Sequence, residues 1–373
     1  MSDKKPRLAA IEYIRGISML GVVGIHVGSQ YLANPAANMH LVALFEVATR
    51  FSVPIFFFIS AFGMFYNLDM SGKFDYKAFL KRRISTVLIP YVVWSLFYLL
   101  HYALLWKDAS VLSPFYIGFS MIFGTAGYQL YFMVILLWFY LMMPLWMWLI
   151  KRLRWIGLGG LLLFQIAFDY WSCFELNSAG IDNFLLKSLI DYRLNYWVMH
   201  YVFIFVLGGY LAVHIHWFMD FMNRCRNYLV VFFWFTLAGL LGYYYWVIFT
   251  KGYTPLEGIN TAQQLCPAGV LYTLGASLFF FAIFTIWRLP EGLRPVLSAL
   301  GRHSYFVYLA HPVAITYLSM ALGRTGRIMT ASIAIAFYVA VVAITLTAAV
   351  LMRHLGERIP VVNQLTIGLY RKR

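Results

Sequence analysis

Apolar stretches of about 20 residues, long enough to cross the hydrocarbon core of a bilayer, recur along this chain from one end to the other. They lie near 11–32, 47–67, 87–106, 129–150, 155–174, 196–215, 228–250, 265–287, 303–322 and 329–352. In lipid every backbone N–H and C=O must be satisfied within the spanning segment, so runs this long become helices. Only 12% of the 373 residues are charged, against about 25% in soluble domains. The expectation is an all-α polytopic membrane protein with about ten transmembrane helices. The segment 113–124 is too short to cross and is expected to lie at the surface or to re-enter. The longest connections, around 67–86 and 175–195, leave no room for a separate soluble domain, so 1–373 reads as a single membrane domain. No internal repeat is visible.

Basic residues set the orientation. With the N-terminus inside, the inner side carries Lys4, Lys5, Arg7 and Arg15, then Lys73, Lys77, Lys81, Arg82 and Arg83, then Lys151, Arg152 and Arg154. Arg224, Arg226, Arg288, Arg294, Arg302, Arg353, Arg358, Arg371, Lys372 and Arg373 follow on the same side. The outer side carries only Lys107, Lys187, Arg193, Lys251, Arg324 and Arg327, and Arg50 falls at a span end. An even number of spans puts both termini in the cytoplasm. The net charge of +15 is thus a topological pattern and not a nucleic-acid footprint. The first apolar segment follows a basic start as a signal peptide would. It runs on to about Tyr31 with polar groups a signal peptide does not need, and reads as a retained span.

Ionisable groups inside these spans are the candidate functional residues, because such groups are costly at membrane depth. Arg15 and His26 are eleven residues apart on the first span, about three helical turns, so they share a face roughly 16 Å apart along the axis. His26 then lies near the middle of a ~30 Å slab or slightly beyond it. Glu12, one turn before Arg15, can pair with it. A core histidine and a snorkelling arginine are the plain alternatives. The run Lys81-Arg82-Arg83 reads as an inside loop that either sets topology or binds a phosphorylated ligand. Arg50, one turn after Glu46 at the outer end of span 2, reads as half of a surface ion pair. Ser60 can bond back to its own helix. His311 precedes Pro312, which frees backbone carbonyls at membrane depth. Cys173, Cys225 and Cys266 are scattered, with no disulfide or metal spacing. There is no Gly-rich phosphate loop, H-E-x-x-H or G-x-S-x-G pattern.

Four of these segments, in order, resemble the signatures of the acyltransferase 3 family of bacterial integral membrane acyltransferases. They are Glu12-Tyr-Ile-Arg15-Gly16 with His26, Val53-Pro54-Ile55-Phe56-Phe57-Phe58-Ile59-Ser60-Ala61-Phe62, the arginine-rich loop before Pro90-Tyr91, and Tyr305-Phe-Val-Tyr308-Leu309-Ala-His311-Pro312. Gln129-Leu-Tyr-Phe-Met is a weaker fifth match. The resemblance covers the whole chain. It departs at Thr86, where the family's R-x-x-R has its second arginine, and at Ala61, where glycine is usual.

The resemblance implies an acyl-CoA donor, acetyl-CoA by default, on the cytoplasmic face of a bacterial inner membrane. It implies an acceptor hydroxyl on a surface glycan or lipid-linked sugar at the outer face. No permanently bound cofactor and no metal are implied. His26 would act as general base or as transient acyl acceptor, and Arg15 would steer the donor or hold Glu12. Lys81, Arg82 and Arg83 would contact donor phosphates. Arg50, Ser60, Tyr308 and His311 would line the cavity or touch the acceptor. The rival expectation is an exporter of a polysaccharide or lipid-linked sugar, although the paired repeats common in transporters are missing.

Overall fold

A computed structural model describes residues 6–32 and 39–368. Of the topological charges, Lys4, Lys5, Arg371, Lys372 and Arg373 lie outside the described residues. Every regular element among the described residues is helical. In chain order these are α1 (Ala9–Leu32), α2 (Met39–Thr49), α3 (Ser52–Tyr66), α4 (Tyr76–Arg83), α5 (Ile89–Trp106), α6 (Pro114–Phe123), α7 (Tyr131–Leu141), α8 (Met143–Arg152) and α9 (Trp155–Tyr170). The remainder are α10 (Phe184–Asp191), α11 (Val202–Val213), α12 (Ile215–Lys251), α13 (Pro255–Thr261), α14 (Pro267–Ile286), α15 (Leu293–Arg324), α16 (Ala331–Arg358) and α17 (Pro360–Ile367).

Among the described residues eight helices are long and apolar enough to cross a membrane, or nine if α7 and α8, bent by 65° at their junction, form one crossing. The shorter apolar helix Val198–Val213 occupies the remaining expected span, so each of the ten stretches has a helical counterpart. Two supposed loops are partly helical. The connection 67–86 contains α4, capped by Asp75, whose side chain accepts from the Ala78 N–H. The connection 175–195 contains α10, capped by Asn183.

The chain forms two compact units. The first holds 1–70, 153–173 and 201–346. Its backbone is the pair α1 and α15. Their contacts run in the same order along both helices, Glu12 with Ser298, His26 with His311 and Gln30 with Ser319, so the pair is parallel. Small residues allow the approach: a Cβ on Gly16 would collide with the Leu297 backbone, and one on Gly301 with the Glu12 carbonyl. Without a hydrophobic driving force between helices in lipid, such close backbone packing is a main source of association. Against α2 and α3, α1 runs antiparallel, with Gly28 facing Glu46, Gly21 facing Ser52 and Arg15 reaching Gly63. A knot of fully buried rings, Phe58, Phe62, Phe218 and Phe281, ties α3 to α12 and α14, with Phe62 and Phe281 centroids 4.6 Å apart.

The second unit holds 71–152, 174–200 and 347–373. Residues Tyr76–Trp106 form one 31-residue helical run, interrupted by a π-turn over Ile84–Leu88. α17 packs on α5: the Trp94 indole donates to the Thr366 carbonyl at 3.1 Å, and Gly368 lies against the Thr86 backbone, where a Cβ would not fit. α6 and α10 are joined by rings, Phe119 and Phe184 at 6.1 Å.

Candidate active site

The first unit holds seven of the expected residues, Glu12, Arg15 and His26 on α1, Ser60 on α3, Tyr308 and His311 on α15, and Arg50 in the turn between α2 and α3. Pro54 explains how Arg50 comes to be among them. Proline lacks the N–H that would bond the carbonyl four residues back and its ring crowds that position. The carbonyl is that of Arg50, and the chain turns at Arg50 and Phe51 between α2 and α3. Arg50 therefore lies inside the span His40–Tyr66 and not at its outer end, as the sequence suggested. Its Nη2 donates to Glu46 Oε2 at 3.2 Å. The pair is not a surface one, since Glu46 is 2% and Arg50 15% exposed.

Pro312 does the same in mid-α15. It leaves the Tyr308 carbonyl without a helical donor. His311 fills that place, with Nδ1 2.8 Å from the Tyr308 oxygen and 3.2 Å from that of Val307. A carbonyl can only accept, so Nδ1 carries the proton and a neutral His311 presents Nε2 as an acceptor. The fully buried His311 ring stacks on His26, centroids 5.2 Å apart and planes 24° from parallel. The Tyr308 ring lies 6.1 Å from that of His311. Arg50 lies on the turn between Glu46, which faces Gly28, and Ser52, which faces Gly21, both glycines being on the helix that carries His26. Ser60 is half-buried on α3, and no hydrogen bond to its own helix forms among the described residues.

At the inner end of α1, Glu12 has both carboxylate oxygens engaged, one by Arg7 and the other by Ser298 Oγ at 2.8 Å. Arg15, expected to pair with Glu12, extends instead toward Gly63 of α3.

In the second unit Lys81, Arg82 and Arg83 lie on α4 and not in a loop. Lys81 and Arg82 are exposed and Arg83 is half-buried. The Arg83 guanidinium sits over two rings, 5.1 Å from Phe79 and 4.8 Å from Tyr140, a cation–π arrangement that fixes its direction. Thr86 lies in the π-turn, and its hydroxyl donates to the Arg82 carbonyl at 2.9 Å.

Sequence reasoning did not single out three buried polar groups of the first unit. Glu46 registered only as a partner for Arg50. Asp169 and Gln165, both buried on α9, hydrogen-bond each other, and Gln165 accepts the Phe203 N–H at 2.8 Å. Their spacing of one helical turn inside an apolar run was the available signal.

Two stacked imidazoles, one with its tautomer set by its own helix, are groups suited to proton transfer. No curated protein and no solved structure is detectably similar to the chain. The model of one family, described as an acyltransferase domain, matches residues 8–354. With nearly its whole length matched and its helices meant for a bilayer, the chain belongs to the acyltransferase 3 family of membrane acyltransferases.

Proposed function

We propose that this multi-pass membrane acyltransferase moves an acyl group, acetyl by default, from cytoplasmic acyl-CoA to a hydroxyl of an extracytoplasmic or lipid-linked glycan in a bacterial inner membrane. The observation that carries the reading is His26 stacked on His311 in the span that opens the family match. His26 takes the proton of the acceptor hydroxyl, or holds the acyl group transiently. Imidazole is suited to both roles. His311 packs its face against His26 and restricts how that ring turns. Arg15 at the cytoplasmic end supplies positive charge for the donor, and the exposed Lys81 and Arg82 with the ring-held Arg83 supply phosphate-binding chemistry. No resident metal or cofactor takes part; acyl-CoA is a co-substrate.

The test is acetyl-CoA binding to the detergent-purified protein, compared with CoA and succinyl-CoA, for wild type, Arg15→Ala and Arg83→Ala. Saturable binding weakened by both changes supports the reading. Well-folded protein that binds no acyl-CoA overturns it and favours the rival exporter reading.

A further inference from the structure

The buried Glu46 and the largely buried Arg50 form an ion pair inside a membrane span that the proposed chemistry has not used. Breaking such a pair leaves an uncompensated charge, and keeping it requires desolvating two ions. The sequence spends several features on this one pair. Gly28 on α1 opens the space that the Glu46 carboxylate fills, since a Cβ there would lie 2.8 Å from Oε1. Pro54 breaks the span so that Arg50 sits at a turn inside it. The pair does not exhaust the guanidinium. One Nη2 bond to Glu46 is formed, and Nε is buried with no partner among the described residues. The largely buried guanidinium sits on the turn between Glu46, which faces Gly28, and Ser52, which faces Gly21, on the helix that carries His26, and with spare donors it has the chemistry to receive an oxygen that gains negative charge.

We infer that Arg50 binds the carbonyl oxygen of the acyl thioester as it becomes an oxyanion, and that Glu46 is the positioning residue that aims it. The inference rests on the acyl-CoA reading above. The acceptor oxygen bonds to the acyl carbon while its proton passes to His26. The carbonyl π pair moves onto oxygen, where the Arg50 N–H groups meet it. Collapse restores C=O and breaks the C–S bond, and the CoA thiolate leaves with the proton from His26. Donors placed for the oxyanion act on the transition state and not on the bound ground state.

The experiment follows CoA thiol released from acetyl-CoA by the purified full chain, with water or a mixture of soluble oligosaccharides as acceptor. Arg50→Ala is expected to lower kcat about 100-fold or more, the range for loss of one oxyanion donor, while KM for acetyl-CoA stays within a few-fold. Added guanidinium is expected to restore part of that rate. Glu46→Gln is expected to lower kcat with KM unchanged, and Glu46→Asp to recover part of the loss. Arg50→Lys keeps the charge beside Glu46 and thereby the fold, yet loses the planar fork, so it is expected to be impaired while retaining the wild-type thermal transition. Folded Arg50→Lys or Glu46→Gln protein that releases thiol at the wild-type rate overturns this inference alone. Wild-type protein that releases no thiol overturns the acyl-CoA reading and this inference together.

Discussion

The His311 ring lies 5.2 Å from that of His26 and is held there by its own helix, through the carbonyl that Pro312 releases. The dipeptide His-Pro is thus one device. Proline frees an acceptor one turn back, histidine claims it, and the claim fixes both the ring plane and the tautomer. On the parallel helix, His26 meets a surface whose orientation is set before any substrate arrives.

Replacing Pro312 by alanine tests that device. The new N–H at 312 would compete with His311 for the Tyr308 carbonyl. Thermal unfolding in detergent is expected to be unchanged or shifted upward, since proline in a helix interior costs about 3 kcal/mol. Acyl transfer is expected to fall several-fold because the His311 ring is released. A variant as active as wild type would show that the His311 bond is incidental.

The closeness of α1 and α15 makes a stability prediction. Gly16→Val and Gly301→Val each push a side chain into facing backbone, and overpacking of this kind costs about 1–3 kcal/mol. Both are expected to lower the unfolding temperature more than Gly159→Ala, a position with open space around it. Equal shifts at all three sites would contradict the packing account.

Arg83 predicts a difference between two cations. Lysine preserves the charge but not the flat group that lies over Phe79 and Tyr140. Arg83→Lys is expected to weaken acetyl-CoA binding nearly as much as Arg83→Ala. Titration by intrinsic fluorescence would measure it, and full affinity in the lysine variant would mean that charge alone suffices.

Outside the spans, Glu257 makes a pH prediction. The backbone N–H of Thr254, and then its hydroxyl, hold the Glu257 carboxyl below its ordinary value of 4.5, in a capping box at the start of α13. A lowered folded-state pKa stabilises the ionised form. The contribution is therefore complete above pH 4.5 and is lost as pH falls through the lowered value. Hydrogen exchange at the first amides of α13 is expected to respond to Glu257→Gln near pH 6 and to become insensitive to it in acid. Sensitivity that grows in acid would reverse the assignment.

Spans, helical class and the opening Glu-x-x-Arg-Gly with His26 were legible because hydropathy and short motifs are local. Local signals also existed for two features that the sequence reading missed. Asp75 before Tyr76 is a helix cap, so the basic run belonged on a helix. Pro54 four residues after Arg50 marks a break inside the span and not its end. The pairing of Glu12 with Arg7 and Ser298 in place of Arg15, and the stacking of His26 on His311, depend on which helices meet. No spacing along one chain encodes that.

The central claim is that His26 performs the chemistry of acyl transfer from acyl-CoA, and it is tested most directly by pairing two readouts on one variant. His26→Ala and wild-type protein are compared for acetyl-CoA affinity and for CoA thiol release in the same detergent preparation. The account predicts saturable binding by both and thiol release by the variant reduced at least about 100-fold, the scale of lost general acid–base catalysis. Wild-type release by folded His26→Ala protein would contradict it.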